Sequence, residues 1–152
     1  MQVLGDEIEV EFRETISRSP DFRELEGLSV LLAEAKTAGM KIALATSAPP
    51  ENVELSLETL KIKAYFDVII NNTMVSRGKP DPEVYRKAVQ GLGLPPAECL
   101  VFEDSMAGVK SARDAGLAVI GVATTHTPDE LTAAGTIAVI HSFPGLKHLS
   151  GF

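Results

Sequence analysis

Leu100-Val101-Phe102-Glu103-Asp104-Ser105-Met106-Ala107-Gly108-Val109-Lys110-Ser111-Ala112-Arg113-Asp114-Ala115-Gly116 decides the fold. It opens as an apolar strand, residues 100–102, and two adjacent carboxylates, Glu103 and Asp104, stand where that strand stops. A helical pattern follows at once. Val109, Ala112 and Ala115 recur on one side, and Gly116 occupies the place of a helix C-cap. A second apolar run, residues 117–122, makes the unit strand, acidic loop, helix, strand. In parallel α/β sheets ligands bind beyond the carboxyl ends of the strands, which is where Glu103 and Asp104 fall. Neighbouring carboxylates repel unless a cation sits between them, and hard oxygen donors suit Mg²⁺. The competing reading is a solvated acidic loop in which Asp104 or Ser105 caps the helix.

The same alternation continues upstream. Residues 28–38 predict an amphipathic helix with Leu28, Leu31, Leu32 and Ala35 as its stripe, set between Gly27 and Gly39. Residues 41–45 form a short apolar strand that a parallel sheet would bury on both faces. That strand runs into Thr46-Ser47-Ala48-Pro49-Pro50-Glu51-Asn52 and a helix reaching about residue 60. Hydroxyls at a strand end, beside free helix N–H groups, can hold an anion. The simpler local reading is N-capping by Ser47 or Thr46, with proline in the first turn.

Residues 68–70 are another strand, and Asp81-Pro82 predicts a capped helix that runs to about residue 92 and ends at Gly93. Lys79 lies two residues before that cap, on a loop fixed by Pro80. It reads either as a surface charge or as a grip on a phosphate or nucleophile. Thr127-Pro128-Asp129-Glu130 starts a further helix that ends near Gly135, residues 137–140 are a last strand, and residues 143–152 are a tail. At the other end, Ile8-Glu9-Val10-Glu11-Phe12 alternates like a strand while Leu4, Ile8, Phe12 and Ile16 recur at helical spacing. Helix is preferred there, up to Ser19-Pro20-Asp21. Strands alternating with helices define an α/β fold with a parallel sheet.

Composition narrows the function classes. The 152 residues fit one domain, and the net charge of −7, without a basic cluster, argues against nucleic acid and anionic membrane surfaces. Cys99 is the only cysteine, which rules out an intrachain disulfide, and it reads as a buried inert thiol. No apolar stretch is long enough to span a membrane, and the first residues lack a signal-peptide pattern, so a cytoplasmic location is the expectation. His126, His141 and His148 share no zinc-site spacing and read as surface or loop residues.

Three strand-end loops thus carry, in order, a hydroxyl pair, a lysine and an acid pair. Ile42-Ala43-Leu44-Ala45-Thr46-Ser47, Gly78-Lys79-Pro80-Asp81-Pro82, and Val101-Phe102-Glu103-Asp104-Ser105 with Gly108 resemble three motifs of the haloacid dehalogenase (HAD) superfamily. The branch most similar is that of β-phosphoglucomutase and phosphoglycolate phosphatase, over about residues 25–145. The resemblance implies a Rossmann-like parallel sheet with flanking helices in residues 25–152. It makes residues 1–24 the end of a helical cap with its return linker. It implies a small phosphorylated metabolite as substrate and Mg²⁺ as cofactor. Thr46 would hydrogen-bond the transferring phosphoryl oxygen, Ser47 would add a backbone N–H, and Lys79 would neutralise charge between phosphoryl group and nucleophile. Glu103 and Asp104 would hold the Mg²⁺, directly or through water, and Asp81 would serve as a cap. Such a set suits phosphoryl transfer, which needs positioning and neutralisation of developing charge.

One departure matters. The family's nucleophile is the first aspartate of an Asp-x-Asp motif, and the 152 residues contain no such motif. In the family that motif ends a strand lying between the strands that here end at Phe102 and Ala45. Its absence predicts two half-sheets with unpaired inner edges and an apolar slot, and a chain inactive by itself. A second copy or an exchanged segment could fill the slot, although the alternate glutamates of residues 8–12 suit an edge strand better than a buried centre. The alternative function is a non-catalytic core that binds Mg²⁺ and phosphate, or a protein partner. A receiver domain shares the parallel strands, hydroxyl and lysine, but it carries its acid pair early in the chain, not late.

Overall fold

Apolar runs bounded by glycine and proline give short strands joined by helices. The computed structural model describes residues 23–144. In chain order these hold α1 (Leu28–Thr37), β1 (Ala43–Ala45), α2 (Pro50–Thr59), β2 (Val68–Ile70), α3 (Glu83–Leu92), β3 (Leu100–Glu103), α4 (Met106–Asp114), β4 (Ala118–Val122), α5 (Pro128–Ala133) and β5 (Ala138–Ile140). The expected α/β alternation is present. The readings made for residues 1–22, for His148 and for most of the tail lie outside the described residues.

All strand pairs are parallel, as helix crossovers require. β1 pairs with β2, Leu44 opposite Ile69. β3 pairs with β4, Phe102 opposite Ile120, and β4 pairs with β5, Gly121 opposite Val139. Among the described residues no ladder joins β1 to β3, so the strands form a sheet of two and a sheet of three. The split predicted from the missing motif is therefore present. Burial follows it: β4, flanked on both sides, is buried from Val119 to Val122, whereas β1 and β2 are half-buried throughout.

What holds the two sheets together is helix packing. The stripe of α3, Val84, Tyr85, Ala88 and Leu92, recurs at helical spacing and is buried. That helix packs on β1, on β2 and on α4. Val84 and Tyr85 join Val109, Ala112, Leu117, Val119 and Leu131 in one apolar cluster, against which Ala45 of β1 and Ile70 of β2 also pack. A second cluster, Leu32, Val53, Leu57 and Ile62, lies under α1 and α2. Beyond β5, the Phe143 N–H donates to Glu26 O at 2.9 Å, and its ring meets Phe102 edge-on at 5.3 Å. Gly27 is required at that crossing: its φ is +85°, and a Cβ there would come within 2.1 Å of Phe143 O.

Three local expectations are corrected. Neither Thr46 nor Ser47 caps α2, because Pro49 holds the cap position and Pro50 begins the helix. The Thr46 hydroxyl instead accepts from the Ala48 N–H at 3.1 Å. α3 begins at Glu83, one residue later than expected, with Asp81 Oδ1 accepting the Glu83 N–H at 2.9 Å. Cys99 is half-buried, not buried, and its thiol points to Pro95 O at 3.5 Å. Burial, then the neighbouring Glu98 charge, push that thiol up. No helix among the described residues is long and apolar enough to cross a membrane.

Candidate functional site

β3 ends in Glu103, and the turn into α4 wraps the carboxylate in donors. Glu103 Oε1 accepts the N–H of Asp104 at 3.2 Å, the N–H of Ser105 at 3.1 Å and the Ser105 hydroxyl at 2.9 Å. Ser105 also caps α4, its Oγ accepting the Gly108 N–H at 3.0 Å. Ser105, not Asp104, therefore fills the capping role left open between them. Gly108 has to be glycine for steric reasons, since a Cβ there would lie 2.0 Å from Glu103 Cδ. The carboxylate thus rests on the first turn of the helix, with helix N–H groups beneath it.

The other oxygen, Oε2, takes Lys79 Nζ at 2.7 Å and the Tyr85 hydroxyl at 2.5 Å. Glu103 is only 7% exposed. Burial pushes its carboxyl up, but Lys79, through charge and hydrogen bond, outweighs burial with help from Tyr85 and the Ser105 N–H. The net effect holds the group well below the usual carboxylate range. Burial, then the Glu103 charge, raise the Tyr85 phenol far above its ordinary value, so its proton stays on and is donated.

Lys79 reaches this point from a loop tied at both ends. Glu83 accepts the N–H of Ser76 and of Arg77 at 3.0 Å and pairs with Lys87 at 2.9 Å. Lys87, then those two N–H groups, hold the Glu83 carboxyl at about 2. At the far end, the fully buried Ser111 of α4 donates its hydroxyl to Asp81 O at 2.6 Å. The Lys79–Pro80 peptide bond is cis. The ammonium, besides Glu103, donates to Ala45 O at 3.2 Å and to the Tyr85 hydroxyl at 3.2 Å.

A cavity of about 200 Å³ opens beside the lysine, lined among others by Thr46, Ser47, Asn72, Ser76 and Gly78. It contains hydroxyls, an amide and one cation, and no carboxylate among its lining residues. The structure so brings together the hydroxyl loop, the lysine loop and Glu103. Asp104 points elsewhere: it is exposed, its Oδ2 accepts from Thr124 Oγ1 at 3.2 Å, and its carbonyl accepts from Thr125 Oγ1 at 3.2 Å. The acid pair diverges, Glu103 inward and Asp104 outward. Among the described residues no three His, Cys, Asp or Glu side chains gather as a metal cage. Tyr85 was not anticipated, because it lies in the apolar stripe of α3 and reads as core; only its hydroxyl, at the end nearest Lys79, signals otherwise. Glu83 had equally little to mark it, as a first-turn acid is commonplace.

A parallel α/β core with hydroxyl, lysine and acid loops at the carboxyl ends of its strands is the arrangement that the three haloacid dehalogenase-like motifs predict. Residues 5–122 match the haloacid dehalogenase-like hydrolase family, and the chain belongs to it. It is 43% identical over 114 residues to protein CbbY of Rhodobacter capsulatus, covering 72% of this chain and 50% of that protein. It is 35% identical to the phosphorylated carbohydrates phosphatase of Thermotoga maritima, covering 85% of this chain and 58% of that one. Among solved structures, a HAD hydrolase (family IA, variant 3) from Entamoeba histolytica superimposes with a TM-score of 0.86 at 31% identity, over 93% of this chain and 64% of that chain. CbbY from Rhodobacter sphaeroides, solved as a mutant with xylulose-1,5-bisphosphate, superimposes with a TM-score of 0.84 at 33% identity, over 93% of this chain and 64% of that chain. The chain thus spans about half the length of the curated relatives it matches.

Proposed function

We propose that this chain is the phosphoryl-binding core of a phosphatase or phosphomutase acting on a small phosphorylated metabolite. One observation carries the reading: Lys79 lines the same cavity as Thr46 and Ser47 while bonded to Glu103, so all three motif loops meet. The similarity to a phosphorylated carbohydrates phosphatase and to CbbY supports a sugar phosphate as the substrate class. Residues 25–152 form the core in this reading, and residues 1–24 belong to the cap and linker.

Each residue then has a task. The Thr46 hydroxyl and the N–H of Ser47 receive phosphoryl oxygens at the end of β1. Lys79 faces the developing negative charge, held there by Glu103. Asp104, exposed and oxygen-bearing, suits a first carboxylate ligand for Mg²⁺, which needs only one or two carboxylates beside waters and substrate oxygens. Glu103, turned inward and already meeting five donors, would meet the ion only through a water that takes the place of one of them. When bound, the ion would neutralise the phosphoryl oxygens. With no Asp-x-Asp among the 152 residues, an attacking carboxylate is missing, so the chain by itself binds phosphate without turning over esters.

The test is hydrolysis of p-nitrophenyl phosphate with Mg²⁺, run beside inorganic phosphate binding and an Asp104→Ala control. Phosphate binding without turnover is the expected outcome. Mg²⁺-dependent turnover that disappears in the control would mean that another carboxylate supplies the nucleophile. Absence of both binding and turnover would favour a core that serves a protein partner.

A further inference from the structure

We infer that Tyr85 is a positioning residue for Lys79, fixing its ammonium at the cavity through the phenol oxygen; this rests on the phosphate-binding reading above. Packing alone does not require the hydroxyl. Tyr85 is 6% exposed within the apolar cluster of Val84, Val109 and Ala112, where phenylalanine would fill the same space. Its oxygen nevertheless stands between two charged groups. It accepts from Lys79 Nζ at 3.2 Å and donates its only proton to Glu103 Oε2 at 2.5 Å.

An ammonium has three protons to give. Here all three have acceptors on different elements: Ala45 O on β1, the Tyr85 hydroxyl on α3 and Glu103 Oε2 on β3. The Tyr85 ring adds a face 4.9 Å from the same nitrogen. A lysine on a four-carbon stem is otherwise a mobile point charge. Of the two side chains among these acceptors Tyr85 is the neutral one, and it touches both members of the ion pair. It therefore sets the pair's direction without competing for its charge. A phosphoryl oxygen entering the cavity would take the proton now given to Ala45 O, with Tyr85 and Glu103 retaining the other two.

The test compares the 152-residue chain with Tyr85→Phe, which keeps the ring, alone and in a Lys79→Met background. Inorganic phosphate is titrated by calorimetry, and the Lys79 ammonium is followed by ¹⁵N NMR. We expect Tyr85→Phe to weaken phosphate binding about fivefold to tenfold and to broaden the Lys79 ammonium signal by faster exchange, in line with the net worth of one hydrogen bond. In the Lys79→Met background the tyrosine substitution is expected to add no further loss. Unchanged affinity, or an equal loss in both backgrounds, would overturn the inference and leave Tyr85 as packing. If the native chain fails to bind phosphate, the functional proposal falls separately. The ammonium signal then decides the role of Tyr85: broadening in Tyr85→Phe supports it, and an unchanged signal overturns it.

Discussion

Lys79 Nζ and Glu103 Oε2 lie 2.7 Å apart, and the same ammonium reaches Ala45 O at 3.2 Å, so one side chain ties the ends of β1 and β3. Those strands belong to sheets that share no ladder among the described residues. A buried ion pair adds little to stability when compared with an apolar pair of similar volume, yet removing one partner is costly. Lys79→Met leaves Glu103 buried without its counter-charge. Urea denaturation is expected to show a loss of about 3 kcal/mol. The double variant Lys79→Met/Glu103→Gln should recover at least half of it, and failure to recover would show that the lysine stem, not its charge, is what matters.

Gly108→Ala tests the seat of the same carboxylate. A Cβ at that position would come 2.0 Å from Glu103 Cδ, and its nearest neighbours are all carboxylate atoms that Lys79 and Tyr85 hold in place. Helix propensity would favour the alanine by about 1 kcal/mol, but the forced displacement dominates. We expect a net destabilisation of about 2 kcal/mol, measured by thermal or urea unfolding. Inorganic phosphate affinity should fall in the same variant. A stabilised variant would mean that the carboxylate can move without cost.

Much of this architecture can be read from residue order. The Gly93 cap and the Thr127 cap with Glu130 are local signals that appear where the sequence places them, and α4 caps at Ala115 with Gly116 left-handed one residue beyond. The split into two sheets is legible too, from what the chain does not contain. Tertiary contacts are another matter. Tyr85 meets Glu103 across 18 residues and Ser111 meets Asp81 across 30, and nothing in the spacing of either pair announces the contact. The divergence of Glu103 from Asp104 is also invisible in sequence, because Asp104 lies just beyond the last strand residue, Glu103, where strand alternation no longer sets its direction. Thr46 shows the reverse case. Its polarity at a strand end suggests a cap, but two following prolines move the helix start beyond its reach.

The lysine loop predicts its own acid limit. Glu83 is held at about 2, against an ordinary 4.5, by Lys87 and by the N–H groups of Ser76 and Arg77. A folded-state value below the unfolded one means that the contribution is fully present above about pH 4.5. It is lost as pH falls toward 2. Unfolding measured at steps from pH 6 to pH 2 should therefore decline across that window, and Glu83→Gln should flatten the decline. An equal slope in the variant would assign the acid sensitivity to other carboxylates.

The open inner edges make a prediction about exchange. β4 has a partner on each side and is buried from Val119 to Val122, whereas β1 and β3 each have a partner on one side among the described residues. Backbone amides on an unpaired edge are reached by water through small local openings, while those in a flanked strand open only with the whole domain. Hydrogen exchange at low protein concentration should therefore show β1 and β3 amides at least about tenfold less protected than those of Ile120 and Val122. Repeating the measurement at high concentration separates two causes. Protection at β1 and β3 that rises with concentration would mean a second copy lays chain along the edges, since an intermolecular strand obeys mass action. Strong protection independent of concentration would instead mean that the chain covers its own edges, and the reading of an open slot would fail.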